Sequence, residues 1–252
     1  MQKVSIITVV KDHETGLEAT IKSLLNQRYS NWEMIIVVGR SSDKTYAVAA
    51  RYVNSDIRIS VLSQVSNGIY AAMNEGLEAV SGEFTWFMNA GDIFATTEVL
   101  GLAVGNLSRS DAALLIGGYS IISDYADQSY SFRERNVTKL NIAFGRRMGC
   151  HQSMMFRTRH VMELGGFDLR YSLASDFDLI LRLLWNTKAK RLSTVFAKIE
   201  PGGRADQHIN IVHKEKHKIR KELFGRIEIT ILSLAWTWLA RIKIYTKNKF
   251  RK

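Results

Sequence analysis

The feature that most restricts the fold is a rhythm in the first half of the chain, where short β-branched runs alternate with segments whose apolar residues recur at helical spacing. Val4–Val10 reads as a strand buried on both faces, and Thr15–Asn26 as a helix carrying Leu17, Ile21, Leu24 and Leu25. Met34–Val38 with Lys44–Tyr52, and Ile57–Leu62 with Ile69–Val80, repeat the pair, and Phe84–Met88 adds a fourth strand. Strands alternating with helices of this length predict an α/β fold whose central sheet is mostly parallel and flanked by helices. Ligands of such sheets gather beyond the carboxyl ends of the strands. That directs attention to Thr8–Asp12, Gly39–Asp43 and Asn89–Asp92. After Asp111 the rhythm loosens: Ala112–Ile122 and Ser153–Phe156 read as strands, and Asp176–Trp185 as a helix with Leu179, Leu183 and Leu184 inward. Pro201 and Gly202-Gly203 mark a loop, and the remainder is of helical pattern.

A chain of 252 residues holds one large α/β domain or two halves sharing a core. Its single cysteine, Cys150, excludes an intramolecular disulfide and a cysteine zinc cluster, and a reducing cytoplasm fits it. The first apolar run, about seven residues, is too short for a signal peptide. The formal charge of +11 is concentrated at one end: from Lys214 onward twelve lysines and arginines stand against three glutamates. Such a face attracts an anionic partner, nucleic acid or anionic lipid. The apolar segment Ile229–Ala240 falls well short of the roughly 20 residues that span a bilayer, which leaves a buried or an interfacial helix.

Four short stretches carry residue types suited to chemistry. Asn89-Ala90-Gly91-Asp92 closes a hydrophobic strand. Asp92 there either holds a divalent cation against a diphosphate or caps a strand-to-helix turn, and the small Ala90 and Gly91 let backbone approach a ligand. In Ser175-Asp176-Phe177-Asp178, Asp176 either deprotonates a hydroxyl or shares with Ser175 the capping of a helix whose dipole Asp178 favours. His151, in Gly149-Cys150-His151-Gln152, is a proton carrier, a phosphate donor or a structural histidine, and Cys150 reads as an inert thiol. Val38-Gly39-Arg40-Ser41-Ser42-Asp43 is a loose nucleotide-binding turn or a hydrophilic loop before a helix.

Taken in order, these pieces resemble the family 2 glycosyltransferases with a GT-A fold, and within them the group that builds bacterial exopolysaccharides, including colanic-acid-type transferases. Ser5-Ile6-Ile7-Thr8-Val9-Val10-Lys11-Asp12 matches the family's first strand and donor-base loop, and Ser23-Leu24-Leu25-Asn26-Gln27-Arg28-Tyr29 its first-helix signature. Ser41-Ser42-Asp43-Lys44-Thr45 resembles its Ser-Thr-Asp-Gly-Thr turn, and Asn67-Gly68-Ile69-Tyr70-Ala71-Ala72-Met73-Asn74-Glu75-Gly76 the group's Gly-Ile-Tyr-Asp-Ala-Met-Asn-Lys-Gly element. Asn89-Ala90-Gly91-Asp92 stands where the family has its metal-binding Asp-x-Asp. His151-Gln152, Ser175-Asp176-Phe177-Asp178-Leu179 and Gly202-Gly203 match later, acceptor-side elements. The family commonly has acidic residues where Val38, Gln64 and Ser66 stand, and the group an aspartate in place of Ala71.

The resemblance covers residues 3–205 and implies an inverting sugar transfer from a nucleotide-sugar. It assigns Thr8, Val10, Asp12, Val38, Arg40, Ser41, Gly68, Met73, Asn89, Ala90 and Gly91 to the nucleotide-sugar, and Asp92 to a Mn²⁺ or Mg²⁺ ion. Asp176 becomes the general base, with His151 beside it and Gln152, Ser175 and Gly203 on the acceptor side. It divides the chain into a GT-A domain, 1–205, with a nucleotide-sugar half to about 110 and an acceptor half beyond it, and a basic amphipathic helical extension, 206–252. A lipid-linked saccharide acceptor would place the protein peripherally on the cytoplasmic face of the inner membrane, where anionic lipid attracts the basic tail. Phe224, Ile227, Ile231, Leu234, Trp238 and Ile242 recur at helical spacing there, with Trp236, Trp238 and Tyr245 as interfacial candidates. A homodimer is the alternative cover for that stripe. The runner-up functions are a catalytically inactive GT-A scaffold, in keeping with Val38 and Ala71, and a nucleic-acid-binding protein, for which no recognised motif is present.

Overall fold

The computed structural model describes residues 1–122, 128–130, 135–137, 139–144 and 149–225. In chain order the elements are β1 (Val4–Val10), α1 (Glu14–Leu25), β2 (Trp32–Val38), α2 (Thr45–Ser55), β3 (Ile59–Ser63), α3 (Ile69–Glu78), β4 (Phe84–Phe87), β5 (Ile93–Phe94) and α4 (Val99–Ser108). There follow β6 (Leu114–Ile121), β7 (Gln128–Tyr130), β8 (Arg135–Val137), α5 (Lys139–Phe144), β9 (Met154–Arg157), α6 (Thr158–Glu163), α7 (Ser175–Leu183), β10 (Ala189–Ile199) and α8 (Arg204–Gln207). A last helix, α9, covers 209–225.

One sheet runs β3-β2-β1-β4-β9-β6-β10-β5, with β7 on β6 and β8 on β10. The long registers are parallel: Val4–Val10 against Trp32–Val38, Met34–Val38 against Ile59–Ser63, and β6 beside β10. The antiparallel pairings of β9 with β4 and β6 are short and join the two parallel halves. β1 shows why its run is apolar without alternation. Ile7 and Val9 enter a cluster with Tyr70, Met73, Leu77 and Phe177 on one face. Val4, Ile6 and Val10 enter another with Leu17, Ile21, Leu24 and Trp86 on the opposite face. A strand covered by helices on both sides has no solvent face to mark with polar residues. α3 lies close on the sheet because Gly76 has no side chain; a Cβ there would stand 2.6 Å from the Ile7 Cγ2.

The expected α/β architecture is the observed one, with the ends of the expected elements shifted by up to three residues. The short β5, β7, β8, α5 and α6 and the longer α4 and β10 are not among the expected elements, and the last two have an identifiable reason. β10 carries Lys190, Arg191 and Lys198 and changes register twice against β6, which breaks its alternation. α4 is apolar nearly all round, so no helical stripe stands out. Among the described residues no helix is long and apolar enough to cross a membrane. Of the basic extension, 209–225 is helical and packs on the domain: Val212, Ile219 and Phe224 are buried, the last two in the cluster that holds Phe177. Arg220 Nε donates to the Ala143 carbonyl at 2.6 Å. Phe224 therefore faces the core, whereas Ile227, Ile231, Leu234, Trp236, Trp238, Ile242 and Tyr245 lie outside the described residues.

Candidate active site

Two clefts open along the carboxyl ends of the strands. The first, about 700 Å³, is lined by Val10, Lys11, His13, Arg40, Gln64 and Gly68, among others. The second, about 500 Å³, is lined by Tyr70, Asp92, His151, Gln152, Asp176, Gly203 and Lys216, among others. Ile69, Asn89, Ala90 and Arg204 border both, so the clefts meet at the turn that follows β4. The described lining of the first holds the cations Lys11, Arg40 and Arg204 and no carboxylate, a composition suited to an anion.

The floor of the first cleft is two loops laced together. Asp12 is left-handed at φ 49° and accepts hydrogen bonds from the Ser42 amide (2.6 Å) and hydroxyl (3.0 Å), while its own amide donates to Ser41 Oγ at 3.0 Å. Those Ser42 bonds hold the Asp12 carboxyl below its ordinary range. Asp12 and Ser41 are thus spent on loop geometry and do not line the cleft. Thr8, Val38 and Met73, expected at the nucleotide, are buried inside the sheet and its helix cover and do not line either cleft. Their motif spacing alternates faces or turns around a helix, so only some motif members can reach the ligand side. Val10, Arg40, Gly68, Asn89 and Ala90 do line the first cleft.

The turn after β4 is set from α1. Thr20 Oγ1 donates to the Asp92 carbonyl at 2.7 Å and receives the Gly91 amide at 3.1 Å. Gly91 has φ 97°, and a Cβ on it would stand 1.9 Å from Glu200 Oε2, so the β4 turn and the end of β10 touch there. Glu200 accounts for that closeness. Its amide donates to Asp92 Oδ1 at 2.9 Å, and its carboxylate meets His13 Nε2 at 2.7 Å. Gln152 Nε2 donates to Asp92 Oδ2 at 2.9 Å. The Asp92 side chain is therefore no helix cap: a strand, β5, follows it, and its oxygens look into the second cleft. Burial pushes its carboxyl up to about 6, against the pull of the Glu200 and Gln152 hydrogen bonds.

Across the second cleft stands Asp176, the second residue of α7. It receives the Tyr70 hydroxyl at 3.2 Å and the Phe177 amide at 2.8 Å on Oδ1, and His151 Nδ1 lies 3.4 Å from Oδ2. His151 Nε2 in turn lies 3.5 Å from Asn89 Nδ2. Burial raises the Asp176 carboxyl, but the hydrogen bond and charge of His151, with Lys216 and the Phe177 amide, outweigh it and hold the group below the usual carboxylate range. Asp176 borders the second cleft and also accepts a first-turn amide of its own helix. Ala174 occupies the cap position and no side chain of the helix caps it. Ser175, expected on the acceptor side, is fully buried and donates to the Asp168 carbonyl at 2.9 Å; it does not line the cleft. Asp178 pairs with Arg182 at 2.7 Å. Burial pushes the Cys150 thiol up to about 12, an inert group.

Among the described residues no cluster of three His, Cys, Asp or Glu side chains stands ready for a metal. Asn89 Oδ1 and Gln152 Oε1 are buried without a hydrogen-bond partner. Asn89, Asp92 and Gln152 all line the second cleft, so its wall offers oxygen chemistry of the type a hard divalent cation takes alongside phosphate and water.

The sequence profile described as Glycosyl transferase family 2 matches residues 5–165. The chain belongs to that family. This glycosyltransferase is 26% identical over 194 residues to the UDP-Glc:alpha-D-GlcNAc-diphosphoundecaprenol beta-1,3-glucosyltransferase WfgD of Escherichia coli, covering 77% of this chain and 74% of that one. Its fold is similar to Staphylococcus aureus TarS residues 1–349, solved with UDP, at TM-score 0.68 and 19% identity, over 89% of this chain and 71% of that one. It is also similar to the mannosyltransferase PcManGT of Pyrobaculum calidifontis, solved with GDP-Man and Mn²⁺, at TM-score 0.63 and 14% identity, over 94% and 75%. The matched span of the glycosyltransferase includes Asp92, His151 and Gln152; Asp176, Gly203 and all of α9 lie beyond it. Lys11, His13, Tyr70, Glu200, Arg204 and Lys216 also border the clefts. Sequence offered few signals for them, except that Lys11 and Tyr70 sit inside quoted motifs, Lys216 belongs to the basic end and Glu200 precedes Pro201-Gly202-Gly203.

Proposed function

We infer that the protein transfers a sugar from a nucleoside-diphosphate donor to a hydroxyl of a saccharide acceptor, with inversion at the anomeric carbon. The observation that carries this reading is the junction of the two clefts at Asn89 and Ala90. It sets Asp92 against Asp176 and His151 around one space, with the cationic cleft on one side. The nucleotide and its diphosphate fill the first cleft, where Lys11, Arg40 and Arg204 offset their charge. Asp92 is the residue that would hold a Mn²⁺ or Mg²⁺ ion, and such an ion, when bound, would withdraw charge from the leaving diphosphate. Asp176 accepts the proton of the acceptor hydroxyl. The freed oxygen forms the new bond to the anomeric carbon as the bond from that carbon to the diphosphate oxygen breaks, and the nucleoside diphosphate leaves. His151 holds the Asp176 carboxylate in its ionised form, and Tyr70 fixes its orientation.

The acceptor is read as a lipid-linked saccharide presented at an anionic membrane surface, in keeping with the acceptor in the name of the Escherichia coli relative. The outward face of α9 supports this. His213, Lys214, His217, Lys218 and Lys221 are exposed at helical spacing, while Val212 and Ile219 turn inward.

A thermal-shift panel of UDP, GDP, dTDP and CMP sugars, each with Mn²⁺ and with EDTA, tests the donor half. A ligand selective for the native state raises stability by about 2.7 kcal/mol at a hundredfold excess over its dissociation constant. The expected result is stabilisation by one nucleotide class, lost in EDTA and in Asp92→Ala. Stabilisation by none would overturn the reading in favour of an inactive scaffold.

A further inference from the structure

Glu215 of α9 ties that helix to the loop that leads into α7. Its Oε1 accepts the Ser172 amide and hydroxyl, both at 2.9 Å, and its Oε2 accepts the Leu173 amide at 2.9 Å and the Ala174 amide at 2.8 Å. Three consecutive amides thus converge on one carboxylate just before Ser175, the first residue of α7. The opening N–H groups of a helix need acceptors, and an anion there also meets the positive end of the helix dipole. α7 has no cap of its own, since Ser175 turns to Asp168. Glu215, 41 residues along the chain from Ala174, supplies that anion.

Asp176 lies two residues beyond Ala174. The Asp176 carboxylate accepts the Phe177 amide of its own helix at 2.8 Å. Its contacts outside α7, to Tyr70 at 3.2 Å and His151 at 3.4 Å, are long, so they hold the position of the helix start only weakly. Lys216, next to Glu215, lines the same cleft as Asp176. We propose that Glu215 is a positioning residue for the acceptor step: by clasping residues 172–174 it sets the start of α7 and hence where the Asp176 carboxylate meets the acceptor hydroxyl. This rests on the reading of the second cleft as the acceptor site. It makes α9, outside the family profile, part of the transfer machinery, and it touches nothing in the donor cleft.

The test compares Glu215→Ala and Glu215→Gln with a control in the same helix, Glu222→Gln. Glu222 bonds the Tyr171 hydroxyl at 2.7 Å, away from Asp176. With donor and acceptor at steady state, Glu215→Ala lowers kcat/KM for the acceptor about 10- to 100-fold, the scale of a misplaced catalytic group. Its KM for the donor stays unchanged. Glu215→Gln, which keeps one acceptor oxygen, recovers part of the loss, and Glu222→Gln stays near wild type. Amide exchange followed by mass spectrometry needs no substrate: peptides covering 172–176 exchange faster in Glu215→Gln than in wild type or Glu222→Gln. Wild-type acceptor kinetics in Glu215→Ala, or equal losses in donor and acceptor terms for both Glu215 and Glu222 variants, would overturn the proposal. So would unchanged exchange at 172–176, whatever the wild-type activity. A wild type that transfers sugar from no donor counts against the cleft reading instead.

Discussion

At the scale of single residues, the two cleft aspartates are tuned in opposite directions. Burial dominates at Asp92 and pushes it up to about 6; the His151 and Lys216 charges prevail at Asp176 and pull it below its ordinary range. In the metal-free protein a group titrating near pH 6 is therefore expected, and Asp92→Asn should remove it. Asp176 stays ionised well below that, and Asp176→Asn lowers kcat by about 10²- to 10⁴-fold at every pH while nucleotide binding persists. Linkage gives a second consequence. A carboxyl with a raised folded pKa binds protons more tightly in the native state, so stability falls as pH rises from the unfolded value, 3.8, through about 6. In EDTA at neutral pH, Asp92→Asn should then be more stable than wild type by about 2–3 kcal/mol. Its amide still accepts from Glu200, and the unpartnered Gln152 Oε1 can turn to receive it. Denaturation curves at pH 7 and pH 4 check this; the gain vanishes at the lower pH.

At the scale of elements, the site depends on contacts that cross the sheet. Thr20 on α1 holds the β4 turn by accepting from Gly91 and donating to Asp92. Thr20→Val keeps the shape but leaves a buried donor and acceptor unpaired, costing about 1–3 kcal/mol by chemical denaturation and loosening the turn that borders both clefts. Gly91→Ala meets a steeper obstacle, because its φ of 97° disfavours a side chain and the Cβ overlaps the Glu200 carboxylate. Strain of this kind costs about 1–3 kcal/mol, and the Glu200 carboxylate must swing away from its contact with His13. Nucleotide-dependent thermal shift should disappear in this variant while circular dichroism stays native-like.

At the scale of the whole molecule, the basic extension divides into a structural and a surface role. Removing everything from 206 strips Val212, Ile219 and Phe224 from the core, whereas reversing the charge of exposed Lys214, Lys218 and Lys221 leaves the packing in place. The triple Lys→Glu variant is expected to keep its melting temperature within a few degrees. It should weaken binding to anionic vesicles by at least about 1 kcal/mol per lysine, read by vesicle co-sedimentation. Equal binding by wild type and variant would remove α9 from the membrane reading. The sequence by itself determined the parallel half of the sheet, because each strand and helix there writes its burial into local periodicity. It also singled out Asp92, His151 and Asp176, which stand at motif positions after strands or at a helix start and which all line the second cleft. The tertiary structure alone decided which motif members line a cleft: Arg40 and Gly68 do, while Thr8, Val38, Met73 and Ser175 are turned inward. It alone brought Glu200 to Asp92 and Glu215 to the start of α7, from 108 and 41 residues away. Local periodicity records whether a residue is buried, but a hydrogen bond between distant segments leaves no pattern at either end, and only the closed fold brings its partners within reach.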